Sequence, residues 1–171
     1  MNALVASIAS LQMDPGPGVG SGFGILGNLV GGAVGAFLTT LVVGAIMVAL
    51  APDYTQRTME RVGTDPLGSA VYGLICLVFV VLVTVVLVLT VIGILFAIPF
   101  ALLAALTWAV GAAVAFLTVA DRLVGHEDGW TPPLLVAAAL NGALALTGIG
   151  GLVAFAVGAT GFGAILRDWL E

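Results

Sequence analysis

The residues of this chain that could carry chemistry are few, and their spacing limits them further. The single histidine, His126, sits beside Glu127 and Asp128 in Asp121 to Pro133 (DRLVGHEDGWTPP). Adjacent ligands in a glycine-flanked loop lack the spacing of a zinc finger or of HExxH, so a metal site would need ligands converging from elsewhere, and none is assigned. The single cysteine, Cys76, lies in an apolar run. It has no partner for an intrachain disulfide and reads as a small core hydrophobe. A hydrolase would need a nucleophile with a nearby base. A haem protein would need axial His or Met, but His126 is in a loop, and Met47 and Met59 have no evident partner. The pattern is that of a non-enzyme without cofactors.

Ionisable residues inside membrane segments usually mark ion or proton paths. Here there are none between Gly22 and Ala51, Leu67 and Ala120, or Leu134 and Leu166. Most threonine hydroxyls can bond back to their own helix. Asn141 is more informative, because a side-chain amide in lipid needs a partner. It reads as an interhelical contact first and as a pore or ligand group second.

These residues are carried by an unusual composition. Of 171 residues, 61% are hydrophobic and 8% charged, and the mean hydropathy is +1.27. A soluble domain carries about 25% charged residues and could not hide this much apolar side chain. The expected fold class is an all-α integral membrane protein. Net charge is −5, and all four basic residues are arginines, so there is no basic patch for nucleic acid. Acidic loops without lysine suggest a salt-loving archaeal source.

Met1 to Leu11 is mildly apolar but has no positive n-region, unlike a cleaved signal peptide, and reads as an interfacial segment. Met13 to Ser21 reads as a breaker-rich, non-helical linker. Residues 22–171 then read as one helical membrane domain. A first transmembrane helix is expected from Gly22 to Ala51. Gly27, Gly31 and Gly35 recur every four residues on one of its faces, which lets another backbone come close. That backbone belongs either to the same chain, the favoured reading, or to another. Pro52 to Pro66 is expected to form a surface helix started by Pro52 and ended by Gly63. The 54 uncharged residues from Leu67 to Ala120 would span about 81 Å as one helix and must fold back. The turn is expected at Thr90 to Gly93, with Pro99 in the first turn of the returning helix.

The last segment, Leu134 to Leu166, holds Gly148-Ile149-Gly150-Gly151 in its middle. Leu89 to Leu95 and Leu146 to Leu152 both read L-T-x-I-G-x-L, each after a polar loop and a proline. Two related hairpins are expected, with turns at Thr90 and Gly93 and at Thr147, Gly150 and Gly151. The second has arms of about 13 and 16 residues, short enough to be re-entrant. This layout gathers Arg57, Arg61, Arg122 and Arg167 on one side, the cytoplasmic side by the positive-inside rule, where they would meet lipid headgroups. The amino terminus would then be outside.

The stretch from Leu50 to Leu166 resembles the membrane domain that follows the β-helical domain in some polymer-forming, bactofilin-like cytoskeletal proteins. The resemblance lies in the amphipathic turn of Ala51 to Arg61, Asp65-Pro66-Leu67, the hairpin with Thr90 to Gly93, and the Pro-led hairpin with Ile149 to Gly151. The first 20 residues are too few for the β-helical domain, so filament formation does not carry over. The resemblance implies a membrane anchor or assembly module. Residues and resemblance together lead to two expectations. The first is a non-catalytic scaffold, anchor or subunit, a homo-oligomer or part of a larger membrane complex, in contact with membrane lipids. The second is a small channel or facilitator, with the paired turns meeting near the bilayer middle and a path past Thr90, Thr147 and Asn141.

Overall fold

The computed structural model describes the backbone of residues 20–90, 93–127, 129–147 and 149–170, and the side chains of these except 20–23, 25, 169 and 170. The interfacial segment and most of the linker lie outside them, as do Val91, Ile92, Asp128, Gly148 and Glu171. The described residues form helices α1 (Gly20–Leu50), α2 (Pro52–Thr64), α3 (Pro66–Leu89), α4 (Gly93–Val124), α5 (Thr131–Leu146) and α6 (Gly150–Leu170). In lipid every backbone N–H and C=O must be satisfied within the protein, and a helix does this inside each segment. Four helices are long and apolar enough to cross a membrane: α1, α3, α4 and α6. The α5 helix has 16 residues, about 24 Å, and falls short. The protein is a multi-pass helical membrane protein with one leading helix and two hairpins.

Prolines and one aspartate set the boundaries. Pro52, Pro66 and Pro132 each sit in the first turn of a helix, where a missing N–H costs nothing. Gly63 does not end α2. The helix runs on to Thr64, and Asp65 closes it with a bond from its N–H to Arg61 O. Asp65 also starts α3, because its Oδ1 accepts from Gly68 N at 2.9 Å. Pro99 is seven residues into α4 rather than in its first turn, because the Thr90 hydroxyl lets the helix begin at Gly93. Gly20 and Ser21, expected in a non-helical linker, already belong to α1. The arms of the second hairpin are longer than expected, since α5 takes in Thr131-Pro132-Pro133 and α6 continues past Leu166.

The α4 helix is central and touches all five others, whereas α1 touches neither α3 nor α6, and α3 does not touch α5. Burial is uneven along α4. Residues 113–118 are all buried, with Gly111 and Ala120 beside them, while between residues 93 and 106 only Gly93 and Ala97 are buried. The packed core therefore lies towards the polar-loop end, where Val114, Phe116 and Leu117 meet Met59 of α2 and Ala137 of α5.

Glycines fix the register between helices. On α3 and α6, a Cβ on Gly163 would strike Ser69 O, and one on Gly73 would strike Ala159 O. On α4 and α6, Gly111 and Gly161 face one another in the same way. Gly111 is 18 residues past Gly93, and Gly161 is 11 past Gly150, a difference of about 10 Å along the helices. The α3–α6 register gives the same seven-residue offset, since Ser69 is 20 residues from Leu89 and Gly163 is 13 from Gly150. The second hairpin therefore stops about 10 Å short of the first.

Candidate functional site

A cluster of polar side chains lies where α2 covers the end of α4 and the loop that follows it. A cleft of about 480 Å³ there is lined by Gln56, Glu60, Thr118, Asp121, Arg122, His126 and Trp130, among others. Loop 125–130 is shaped by Gly125 and Gly129, with φ of 69° and 105°, a region closed to most side chains. It brings His126 Nδ1 to 2.5 Å from Asp121 Oδ1, which orients the ring with its proton on Nδ1. The ring also stacks on Trp130 at 4.6 Å and 8°, and Trp130 in turn packs against the core. The cleft's threonines are committed elsewhere. Thr64 donates to Glu60 O at 2.8 Å and Thr118 to Val114 O at 2.8 Å. Among the described residues, the aspartate–histidine pair acts as a loop clamp, tying the end of α4 to the loop after it. Among the described residues no three His, Cys, Asp or Glu side chains converge as metal ligands.

The arginines divide into two kinds. Arg122 donates to Gly63 O at 2.7 Å, joining α4 to α2. Arg61 pairs with Asp168 at 2.8 Å, and Arg167 lies 3.5 Å from Asp65 Oδ2. Three of the four therefore hold the surface helix onto the bundle. Arg57 makes no ion pair or hydrogen bond among the described residues, and the pair with Asp53 that their spacing allows is not formed.

Within the apolar part, Asn141 of α5 donates to Thr40 Oγ1 at 2.7 Å and reaches Ala36 O at 3.4 Å. It is an interhelical bond to α1, the reading favoured from sequence. The two L-T-x-I-G-x-L turns match in detail. Thr90 and Thr147 are both extended, with φ,ψ of −103°, 134° and −97°, 140°. Each hydroxyl donates back three residues, to Leu87 O at 3.0 Å and Leu144 O at 2.9 Å. Gly93 and Gly150 are needed for space rather than for a left-handed backbone. A Cβ on either would meet the carbonyl oxygen six residues before it and the preceding threonine hydroxyl. Gly151 has nothing within 4 Å and is not part of the turn's constraint. The turns do not meet, because they differ in depth and their leading arms, α3 and α5, do not touch.

Sequence reasoning overlooked the glycines that pack the bundle: Gly44, Gly73, Gly111, Gly142, Gly158, Gly161 and Gly163, each pressed against a neighbouring helix. The favoured reading of Gly27, Gly31 and Gly35, tight packing inside the chain, is overturned. All three are exposed, with no atom of another helix within 4 Å of a Cβ built there. The same holds for Gly24 and Gly32.

No curated protein and no solved structure matches this chain. One family does, the Domain of unknown function (DUF8173), over residues 3–171. A match of that extent makes this multi-pass helical protein a member of the DUF8173 family.

Proposed function

We propose that the protein is a non-catalytic membrane scaffold or anchor, a subunit that associates with copies of itself or with a larger membrane complex through the glycine face of α1. The observation that carries this reading is the contrast between two sets of glycines. Those that pack the bundle are each filled by a neighbouring helix, whereas Gly27, Gly31 and Gly35 offer the same close approach with none of the described residues against them. Small-residue faces at this spacing are a common route to helix association in lipid. The resemblance to the membrane domain of bactofilin-like proteins agrees with an anchoring role. We place the amino terminus outside and the arginine-bearing loops and carboxyl terminus in the cytoplasm of a cell, one whose acidic, lysine-free composition fits a halophilic archaeon.

The second reading, a channel or facilitator, draws on the matching turns. It is weakened by their different depths and by the bonds that already occupy Thr90, Thr147 and Asn141. The deciding experiment is the mass of the native particle extracted in nanodiscs, with identification of every chain in it. A defined oligomer or complex that Gly31→Leu disperses supports the scaffold. A lone monomer that conducts ions or solutes in liposomes replaces it with the channel.

A further inference from the structure

Because α1 and α6 do not touch, they leave an apolar crevice of about 600 Å³ with α4 as its floor. Met47 of α1 and Ile165 of α6 form its walls, Leu106 and Thr107 its deep end, and Tyr54 of α2 its mouth. It runs inward from the surface helix, with Leu106 about 24 Å along α4 from Arg122. Its deep end is open to the surrounding lipid, where Leu106 is 55% exposed. The Thr107 hydroxyl donates to Leu103 O, so it has no free donor to offer. Water needs two to four polar partners to settle in such a place, whereas a hydrocarbon chain needs none. The volume lies within the usual range for a small-ligand site.

The mouth adds a charge. Tyr54, Arg57 and Arg61 lie at i, i+3 and i+7 and share one flank of α2. Arg61 is held by Asp168 of α6. Arg57, one helical turn from Tyr54 along α2, is exposed and makes no ion pair or hydrogen bond among the described residues. A guanidinium at the headgroup level favours a phosphate. We propose that this crevice is a specific site for one anionic phospholipid, with a hydrocarbon chain laid along α4 between α1 and α6 and its phosphate on Arg57. This goes beyond general contact of arginines with headgroups, because it assigns one lipid, one arginine and one slot.

The test is native mass spectrometry of the full chain released from detergent, titrated with dioleoyl phosphatidylglycerol or dioleoyl phosphatidylcholine. The expected result is one phosphatidylglycerol retained per chain, about tenfold tighter than phosphatidylcholine. Arg57→Gln removes that preference and Arg57→Lys keeps part of it. Leu106→Trp, which fills the deep end from an exposed position, lowers retention of both lipids, and Met47→Phe on the wall does the same should the first variant lose its helical melting transition. Equal retention of the two lipids by the wild type overturns the proposal. So does a preference that survives Arg57→Gln, or a crevice filled by both aromatics without effect. Lipids are counted per chain whatever the particle's mass, so this result and the one on association stand or fall separately.

Discussion

At the scale of single residues, the two hairpin turns depend on atoms that a sequence motif names but does not weigh. Gly93 and Gly150 face carbonyl oxygens from the preceding helix, so even a methyl group forces the turn apart. Gly93→Ala and Gly150→Ala are each expected to destabilise by roughly 1–3 kcal/mol, read as a lower midpoint in thermal melting of the detergent-solubilised protein. Gly151→Ala is the control. It has open space and a helical backbone, so it should be neutral or slightly stabilising. Equal losses at Gly150 and Gly151 would refute the steric account. Asn141 offers a second residue-scale test. Its amide bonds to Thr40 across α5 and α1, and such bonds in membranes contribute roughly 0.6 kcal/mol, at most about 1.7. Asn141→Leu should therefore melt slightly earlier while the protein still folds. A channel path through Asn141 would instead appear as a change in conductance.

At the scale of elements, helix boundaries were legible in part, because lipid and proline both act locally. Charges cannot enter the apolar segments, and Pro52 starts a helix as expected, whereas Pro99 falls inside α4 and the last hairpin begins at Thr131 rather than Leu134. Beyond the two hairpins, the pairing of those helices was not legible. Small residues four apart say that a close approach is possible, and Ser69 with Gly73 and Ala159 with Gly163 offer one as Gly27, Gly31 and Gly35 do. The glycine spacing of α1 is the more regular, yet no described helix meets it, whereas Gly73 and Gly163 press on another backbone. That difference depends on which helices become neighbours, and that follows from the whole bundle. The aspartate–histidine clamp was hidden for the same kind of reason, since Asp121 lies at the end of a helix and His126 in the loop after it. The element-scale prediction uses the contrast. Gly163→Leu should prevent folding or strip α6 from α3, seen as loss of the cooperative melt, because its Cβ already meets Ser69 O. Gly31→Leu should leave the monomer's melting unchanged and alter only the particle's mass. If Gly31→Leu unfolds the monomer, the face is internal and the proposed association fails.

At the scale of the whole molecule, the two hairpins share a turn and differ in reach. Both registers of α6, against α3 and against α4, place the second turn seven residues, or about 10 Å, short of the first. The α3 helix, at 24 residues and about 36 Å, exceeds the roughly 30 Å hydrocarbon core. The first turn can therefore reach the far headgroups while the second stays among acyl chains. Among the described residues only α1, α3 and α4 continue beyond the second turn, and Leu95 and Ile98 of α4 are exposed by 73% and 70%. Lipid or a partner must cover what the short hairpin leaves open. This makes the depth of the turns a direct measure of the architecture. In a Cys76→Ser background, Leu89→Cys and Ile149→Cys place a thiol at each turn, at positions 80% and 75% exposed and making no side-chain bond. A membrane-impermeant maleimide added to the far side of proteoliposomes should label residue 89 quickly and residue 149 at least tenfold more slowly, with the two rates converging once detergent is added. Equal labelling before detergent would mean that both hairpins reach the same surface. The short second hairpin would then have to be matched by a locally thinned bilayer, at a cost that grows with each ångström of mismatch.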